Sequence, residues 1–406
     1  MSDLALGDYV EVFLDEKFGE FSGWRAGQVF AIEPYSQHRS FYWVRFTDPS
    51  PLDMKEISVF NPKHIRKNMP PTLFALLEQA IALRAPRMEN PAHENAFRLF
   101  NGFYEGEPSI AIDVYARTLL IHNYAEESIV SEMQAARQIA GVDLQEIVAY
   151  LRNALNWLHA GMIKYRNSPS PHARRGAMLF GESLDDKICE HGAWYALDLT
   201  MNRDASFYLD TELLRKWLIE HCKGKSVLNT FAYTGSFGVA ARYGGATRVT
   251  QIDLNRKFLA LGQRSYGLNR FPLQKGDFIA RDFFEQVGNF KRDKKLFDIV
   301  IIDPPFFSST PKGTVNQEAE SARLINKVRP LIADGGTLIA VNNALYVSGA
   351  AYMQTLESLC ADGYLSIREL IPAPDDFIGN KKRAAITDSA PFNHSTKIAV
   401  LDVKKK

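Results

Sequence analysis

Three cysteines in 406 residues, Cys189, Cys222 and Cys360, stand far apart and include no Cys-x-x-Cys pair. That scarcity excludes a disulfide framework and a cysteine-held zinc site. The nine histidines show no metal-ligand spacing either. No apolar run reaches the roughly 18 residues that a membrane-crossing helix needs. Met1 to Val10 carries acids and no apolar signal core. An excess of one charge sign is also missing. The formal net charge is +1, so nucleic acid would have to be met by local patches and not by a general basic field. With 46% hydrophobic and 23% charged residues, a disordered chain is excluded. These absences leave a soluble protein of a reducing compartment, expected in the cytoplasm and free of metal. At this length it should divide into two or three domains, since single cores rarely outgrow about 250–300 residues.

What the sequence does hold is concentrated in its C-terminal half. Ser226 to Ala241 reads SVLNTFAYTGSFGVAA. A short apolar run there breaks into a turn at Tyr233-Thr234-Gly235, and a small-residue helix start follows. Glycines let the backbone turn sharply and let a ligand approach the peptide groups of a helix N-terminus. Arg248-Val249-Thr250-Gln251-Ile252-Asp253 reads as a second buried strand ending in a carboxylate. An acid about 20 residues past the glycines, at a strand tip, is the usual partner of ribose hydroxyls in nucleoside-binding α/β domains. The third signal is an apolar strand from Phe297 that stops on Asp303-Pro304-Pro305-Phe306. Gly235-x-x-Gly238 alone describes a plain βα turn equally well. The spaced trio is more specific, and it resembles the class I S-adenosylmethionine (SAM) methyltransferases.

From about residue 204 to 406 strand and helix patterns alternate, which argues for an α/β fold with a parallel doubly wound sheet. Strands are expected at 226–230, 247–253, 274–279, 297–303 and 336–342. The resemblance adds a final antiparallel pair, Tyr364 to Ile371 and Thr396 to Val403, completing a Rossmann-like seven-stranded domain. Asn229, Gly235, Asp253, Asp282, Asp303 and Asn342-Asn343 all fall at or just beyond strand ends, where such sheets hold ligands.

By the resemblance, Asn229 and the segment Phe231 to Gly235, with Tyr233 and Thr234, cradle the methionine part of SAM. Asp253 takes the ribose, and Asp282 lies beside the adenine amine. On the residues alone Asp282 is equally a helix N-cap. Asp303-Pro304-Pro305-Phe306 becomes the catalytic lip, because prolines fix the turn and free neighbouring carbonyls from the sheet. Asp303 and those carbonyls can then accept hydrogens from a nitrogen nucleophile. Phe306 and Phe307 either stack on a flat ring or pack as wall. Methyl transfer from a sulfonium is an in-line displacement, in which positioning matters more than acid–base work and no metal is needed.

Residues 6–66 read GDYVEV…GWRAGQV…FYWVRF…IRK. Short alternating strands between Gly, Pro and Asp turns argue for a small all-β module, which resembles Tudor or agenet-type SH3-like barrels. Trp24, Tyr35, Tyr42 and Trp43 there form a cage or stacking surface, or fill the core of a very small barrel. Over residues 1–69 eight Lys/Arg face ten Asp/Glu, a net −2. That sign favours a protein partner over a phosphate backbone. Pro70-Pro71-Thr72, with Leu73, Leu76, Leu77, Ala80 and Leu83 at 3–4 spacing, suggests a linker helix. A hairpin over Ser109–Tyr115 and Thr118–Tyr124 is expected next, then a helical stretch over about 127–156 and more strands through Trp194–Leu199. RLFNG…IAIDVYARTLLIH resembles the central α+β domain of bacterial large-subunit ribosomal-RNA methyltransferases. Its Arg152, Lys164, Arg166, Arg174 and Arg175 either meet RNA or form a solvated face. The expected division is a barrel over 1–68, a linker helix over 69–94, an α+β domain over 95–203 and the SAM-binding domain over 204–406.

Phe207-Tyr208-Leu209-Asp210 resembles that family's aromatic-aromatic-Leu-Asp lead-in, where Gln-Arg and a later Arg follow. Here Thr211-Glu212 replaces Gln-Arg, while Arg215 fits the later position. Asp210 and Arg215 are thus expected to contact substrate. Relatives that methylate carbon 5 of cytosine need a thiolate, which one branch places just after the fifth strand. This chain reads Ala340-Val341-Asn342-Asn343-Ala344 there, and Cys360 sits in an apolar helical segment. The Asn pair resembles the branch that methylates a guanine ring nitrogen. It either reads a base edge or closes the strand as turn residues. A long loop carrying Lys381-Lys382-Arg383, before PFNHSTKIAVL, is a lid, a substrate-binding segment or a surface excursion. The resemblance implies a SAM-dependent enzyme methylating a base nitrogen of large-subunit rRNA, with no covalent cysteine intermediate. The same fold acting on a small metabolite, and a non-catalytic adaptor reading a partner through its barrel, are the alternatives. Nicotinamide dinucleotide binding fits poorly, since its full glycine pattern is missing.

Overall fold

Strand alternation builds the N-terminal unit, Met1–Leu76, of the computed structural model, which describes residues 4–36, 39–46, 55–67, 72–125, 138–378 and 387–405. Tyr9–Leu14, Gly23–Ser36, Arg39–Phe46, Glu56–Val59 and Ile65–Lys67 form one antiparallel sheet in which the first strand also pairs with the last. The inward positions are aliphatic: Val10, Val12, Leu14, Val29, Val44, Val59 and Ile65. Of the two readings of the aromatics, core filling is therefore corrected. Trp24, Tyr35 and Trp43 are 36%, 68% and 38% exposed, and only Tyr42 packs on the core edge. One layer of branched aliphatics already fills so small an interior, which pushes the large rings outward. Arg66 lies 4.1 Å over the Trp24 ring.

The expected linker helix spans Leu73–Leu83. In the second unit, Leu77–Lys406, a five-stranded sheet runs in the order Ala177–Phe180, Ala160–Tyr165, Thr118–Asn123, Ile110–Tyr115, Ala96–Asn101. Every residue of the hairpin strands Ile110–Tyr115 and Thr118–Asn123 is buried, so their near-continuous apolar text reflects cover on both faces. The helix expected over 127–156 is shorter. Residues 126–137 lie outside the described set, and Gln138–Ile139 turns back on Val142–Asp143 through Ala140 and Gly141, both at positive φ. Helix begins only at Leu144, where the Asp143 carboxylate accepts the Gln145 N–H at 2.7 Å, and it ends at Ala154.

The C-terminal sheet has seven strands: β1 (Ser226–Thr230), β2 (Arg248–Asp253), β3 (Phe278–Ala280), β4 (Phe297–Ile302), β5 (Ile332–Asn342), β6 (Leu365–Ile371) and β7 (Lys397–Val403). Their spatial order is β3-β2-β1-β4-β5-β7-β6. β1 to β5 are parallel, and β7 runs antiparallel to both β5 and β6. The associated helices are α1 (Glu212–His221), α2 (Ser236–Tyr243), α3 (Arg256–Leu268), α4 (Phe283–Arg292), α5 (Gln317–Val328) and α6 (Gly349–Cys360). This is the expected α/β, Rossmann-like architecture. Chain order reverses between β1 and β4, and crevices form at the carboxyl ends of strands at such a switch. The third strand is shorter and later than 274–279. Gln274 and Asp277 bond each other through backbone and side chain, which makes a turn of the first four residues. Among the described residues no helix is long and apolar enough to cross a membrane, and no cluster of His, Cys, Asp or Glu could hold a metal ion.

Candidate active site

The carboxyl ends of β1, β2 and β4 open into a cavity of about 570 Å³, inside the range of about 300–1,000 Å³ common for small-molecule sites. After β1 the chain passes through Phe231 and Tyr233 with φ of 55° and 50°, and then Gly235 with φ of 79°. Left-handed backbone at two bulky residues is costly. Three bonds offset the cost. Ala232 N–H donates to Ile252 O at 2.8 Å, Tyr233 N–H to Asp253 Oδ2 at 2.9 Å, and the Thr234 hydroxyl to Ser206 O at 2.6 Å. Gly238 has a packing reason: a Cβ there would lie 2.2 Å from Gln251 Cδ. The Gly-x-x-Gly pair thus seats α2 against β2.

At the tip of β2, Asp253 accepts the Tyr233 N–H and, through Oδ1, the Asn255 N–H at 2.8 Å. Burial raises its pKa while these N–H groups oppose the rise. Beyond β3, Asp282 caps α4, with Oδ1 accepting from Phe284 and Glu285 N–H at 2.9 and 3.2 Å. Its Oδ2 accepts the Thr310 hydroxyl at 2.7 Å. The N-cap reading of Asp282 is therefore an observed role. Phe231 stacks on Phe283 with ring centroids 4.4 Å apart.

Asp303 ends β4 in a different condition. It lines the cavity with Pro304 and Pro305 and accepts no hydrogen bond among the described residues. Burial, and secondarily the Asp210 carboxylate, push its pKa up to about 7. Asp210 lines the same cavity and accepts the Thr396 hydroxyl at 2.6 Å. The Pro304 carbonyl accepts Gln317 Nε2 at 2.8 Å, and Gln317 Oε1 accepts the Asn343 N–H at 3.0 Å. One buried amide at the start of α5 thus ties the lip to the end of β5. Past the prolines, Phe307–Thr310 and Gly313–Asn316 pair as a hairpin whose Ser308, Ser309, Thr310, Gly313 and Val315 also line the cavity.

The side chains of Asn202 and Asp204 reach the cavity on a loop held from behind. Lys164, fully buried, donates to the carbonyls of Asn202 and Asp204 at 2.7 and 2.8 Å. Arg166 donates to the Arg203 carbonyl and to Asp204 Oδ1. Burial draws the Lys164 pKa down to about 8. Asn202 Nδ2 in turn donates to the Tyr233 hydroxyl at 3.2 Å.

Of the residues singled out in the sequence, the structure brings Phe231, Tyr233, Asp253, Asp282, Asp303, Pro304, Pro305, Asp210 and Asn343 to one cavity. Others are set apart from it. Asn229 is fully buried and donates to Gln251 Oε1. Thr234 is spent on Ser206, and Gly235 offers only backbone. Arg215, placed with the substrate contacts, is instead fully buried in a bidentate pair with Glu190 at 2.6 and 2.8 Å, and it also holds the Tyr208 carbonyl. Asn342 is the turn residue of its two readings, bonding Ser321 and capping Ala344 N–H. Phe306 and Phe307 are 44% and 60% exposed and lie outside the cavity lining. The prolines turn the chain outward there, so neither ring packs as wall. Lys381-Lys382-Arg383 falls outside the described residues.

Sequence reading missed Gln317, the Asn202–Asp204 loop with its Lys164 and Arg166 holders, and the hairpin. Thr310-Pro311-Lys312-Gly313 between two polar β-prone triplets was a usable turn signal. Lys164 lies near the end of the strand Ala160–Tyr165 and Arg166 in the turn just after it. No local pattern marks Gln317.

The profile of the S-adenosylmethionine-dependent methyltransferases matches residues 103–378, well over half of the chain. The chain belongs to that family. It is 30% identical over 250 residues to YwbD of Bacillus subtilis, described as a candidate ribosomal RNA large subunit methyltransferase, and covers 61% of either chain. It is 26% identical over 367 residues to ribosomal RNA large subunit methyltransferase I of Aliivibrio fischeri, covering 89% of this chain and 83% of that one. The chain therefore spans less than two thirds of the length of the Bacillus relative. A crystal structure of SMU.776, a candidate methyltransferase in complex with S-adenosylhomocysteine (SAH), superposes with a TM-score of 0.69 at 22% identity, over 99% of this chain and 93% of that one.

The cavity fits the family's cofactor. It offers a carboxylate at the β2 tip for ribose hydroxyls, the flat Phe231–Phe283 pair for a base, and Ala232, Tyr233 and Ser236 for the amino-acid end. No cysteine lines it.

Proposed function

We propose that the protein methylates a nitrogen of a base in large-subunit ribosomal RNA, with SAM as methyl donor. The relatives' names supply the RNA class. The observation that carries the chemistry is Asp303, a carboxylate without a hydrogen-bond partner among the described residues, at the tip of β4 beside Pro304 and Asp210. The bound cofactor supplies an electrophilic methyl group that needs no metal for transfer. Asp303 accepts an N–H of the incoming amine and orients its lone pair, which is positioning work. Pro304 O, fixed by Gln317, has a second lone pair free for the same purpose. Asp253 holds the ribose, while the hairpin with Ser308 to Thr310 restricts water.

With a pKa near 7, Asp303 is ionised above neutrality and protonated below it. Transfer therefore rises with pH through about 7. Methylation at carbon 5 of cytosine would require a thiolate. Cys222 is buried with its thiol pushed up to about 12, and neither Cys189 nor Cys360 reaches the cavity. In this reading residues 95–203 meet RNA, 204–406 carry the transfer, the enzyme works in the cytoplasm, and the barrel of 1–68 takes a protein partner. The test is transfer of tritiated methyl from SAM to ribosomal RNA from cells lacking the protein, followed by nucleoside analysis. An N-methylated nucleoside in large-subunit RNA is expected. A C5-methylated pyrimidine, or label only in small molecules, overturns the reading.

A further inference from the structure

The five cations that the sequence grouped between Arg152 and Arg175 do not act together. Lys164 and Arg166 are spent on the Asn202–Asp204 loop, and Arg152 lies 4.7 Å over Phe180. Arg175 is different: it is exposed and forms no ion pair among the described residues. It lines a second groove, of about 460 Å³, with Thr200, Met201, Lys257 and Leu261. Arg264 in that groove is already paired with Asp186 at 3.1 Å, and Asp198 is turned back on Thr200. Where Met201 ends the groove, Asn202 begins the cavity. Where Lys257 ends it, Asn255 and Phe258 line the cavity. Groove and cavity therefore meet along two chain segments. Arg203 and Arg256 each follow a residue of the cavity lining, Asn202 and Asn255, and both are exposed and without an ion-pair partner among the described residues.

Local helix energetics oppose this arrangement. α3 has Arg256 and Lys257 in its first turn, no acid there and no basic residue in its last turn. That is the reverse of what the helix dipole favours, at about 0.3–1 kcal/mol per misplaced charge. In a chain of net charge +1, four exposed cations from three separate segments, without ion-pair partners among the described residues, leave a local positive patch that a polyanion can neutralise. Local rules broken in this way tend to mark functional sites.

We infer that Arg175, Arg203, Arg256 and Lys257 form a track for the phosphodiester backbone of a single-stranded RNA segment whose neighbouring base enters the cavity. This rests on the RNA reading of the active site. A splayed-out strand suits it, since a base inside a duplex cannot reach a recessed carboxylate.

Binding of a fluorescein-labelled single-stranded RNA oligonucleotide, followed by anisotropy between about 50 and 200 mM salt, tests the inference. Three proteins are compared: wild type, the groove variant (Arg175→Gln, Arg203→Gln, Arg256→Gln, Lys257→Gln) and a control. The control loses the same charge at the far ends of α4 and α5 (Lys291→Gln, Arg292→Gln, Lys294→Gln, Lys327→Gln). Single strands give a slope near 0.7 per phosphate contact. The groove variant is expected to lose about 2–3 from the slope of log Kd on log salt, and at least about tenfold in affinity. The control should stay near wild type, and SAH calorimetry should be unchanged in all three, which confirms folding. A groove variant that matches the control overturns the track. If wild type still binds and labels RNA in that case, the methyl-transfer reading stands. A wild type that binds SAH but neither binds nor labels RNA takes down both.

Discussion

The two ends of the cavity are built on opposite principles. At the β2–β3 end every carboxylate is satisfied from within: Asp253 by backbone N–H groups, Asp282 by the N-terminus of α4 and Thr310. At the β4 end Asp303 accepts nothing among the described residues and carries a pKa raised to about 7. A carboxylate held by fixed N–H and O–H donors keeps its position, which suits a ligand bound the same way in every cycle. A half-buried carboxylate left unsatisfied is costly in the free protein, and the cost is offset when a donor arrives. In the function proposed above, the first arrangement serves the cofactor and the second the reacting group.

The sharpest way to break this contrast is Asp303→Asn. It should lower kcat for RNA methylation by about 10²–10³-fold and remove the rise in rate through pH 7, while SAH affinity stays within about threefold. Equal losses in turnover and SAH binding would show that the two ends are not separate. Next, Asp253→Ala removes the proposed ribose acceptor. SAH affinity measured by calorimetry should fall about 10- to 100-fold, with kcat at saturating SAM little changed.

A third test uses stability. Asp303 holds its proton in the folded state up to about pH 7 but, unfolded, only to about pH 4. The stabilising effect of that proton is complete below about pH 4 and is lost as pH rises through 7. After allowance for its partial exposure, the difference is about 2 kcal/mol. Asp303→Asn should therefore melt several degrees above wild type at pH 8, and the gap should narrow steadily toward pH 5. A variant less stable than wild type at pH 8 would remove the strain assigned to the carboxylate. The smallest effect is expected at the link between the two ends. Thr310→Val releases the hairpin from Asp282 and should raise the KM for SAM about two- to fivefold, with no change in the pH profile.

Much of this site is legible in the chain because strand tips are marked locally. Asp253 and Asp303 close apolar runs, and Gly235 and Gly238 precede a helix. Sheet order then brings those tips together wherever the strands form. Residues that serve as supports carry no such mark. Arg215 looked like a substrate contact because of its place after Asp210, yet its partner Glu190 lies on a strand 25 residues earlier. Gln317 acts on Pro304 only because an unread hairpin returns the chain to the lip. Phe306 and Phe307 follow two prolines, but which way a proline turn throws its next residue depends on tertiary packing. The shortened helix at Leu144 was readable: Ala140-Gly141 and an Asp143 cap were there.

The most direct test of the contrast is a crystal structure of the protein with SAH. The account predicts ribose hydroxyls within hydrogen-bond distance of Asp253 and the adenine against Phe231 and Phe283. It also predicts the sulfur directed toward Asp303, whose carboxylate stays open to the substrate side. SAH bound with its ribose or carboxylate on Asp303, or outside this cavity, would contradict it.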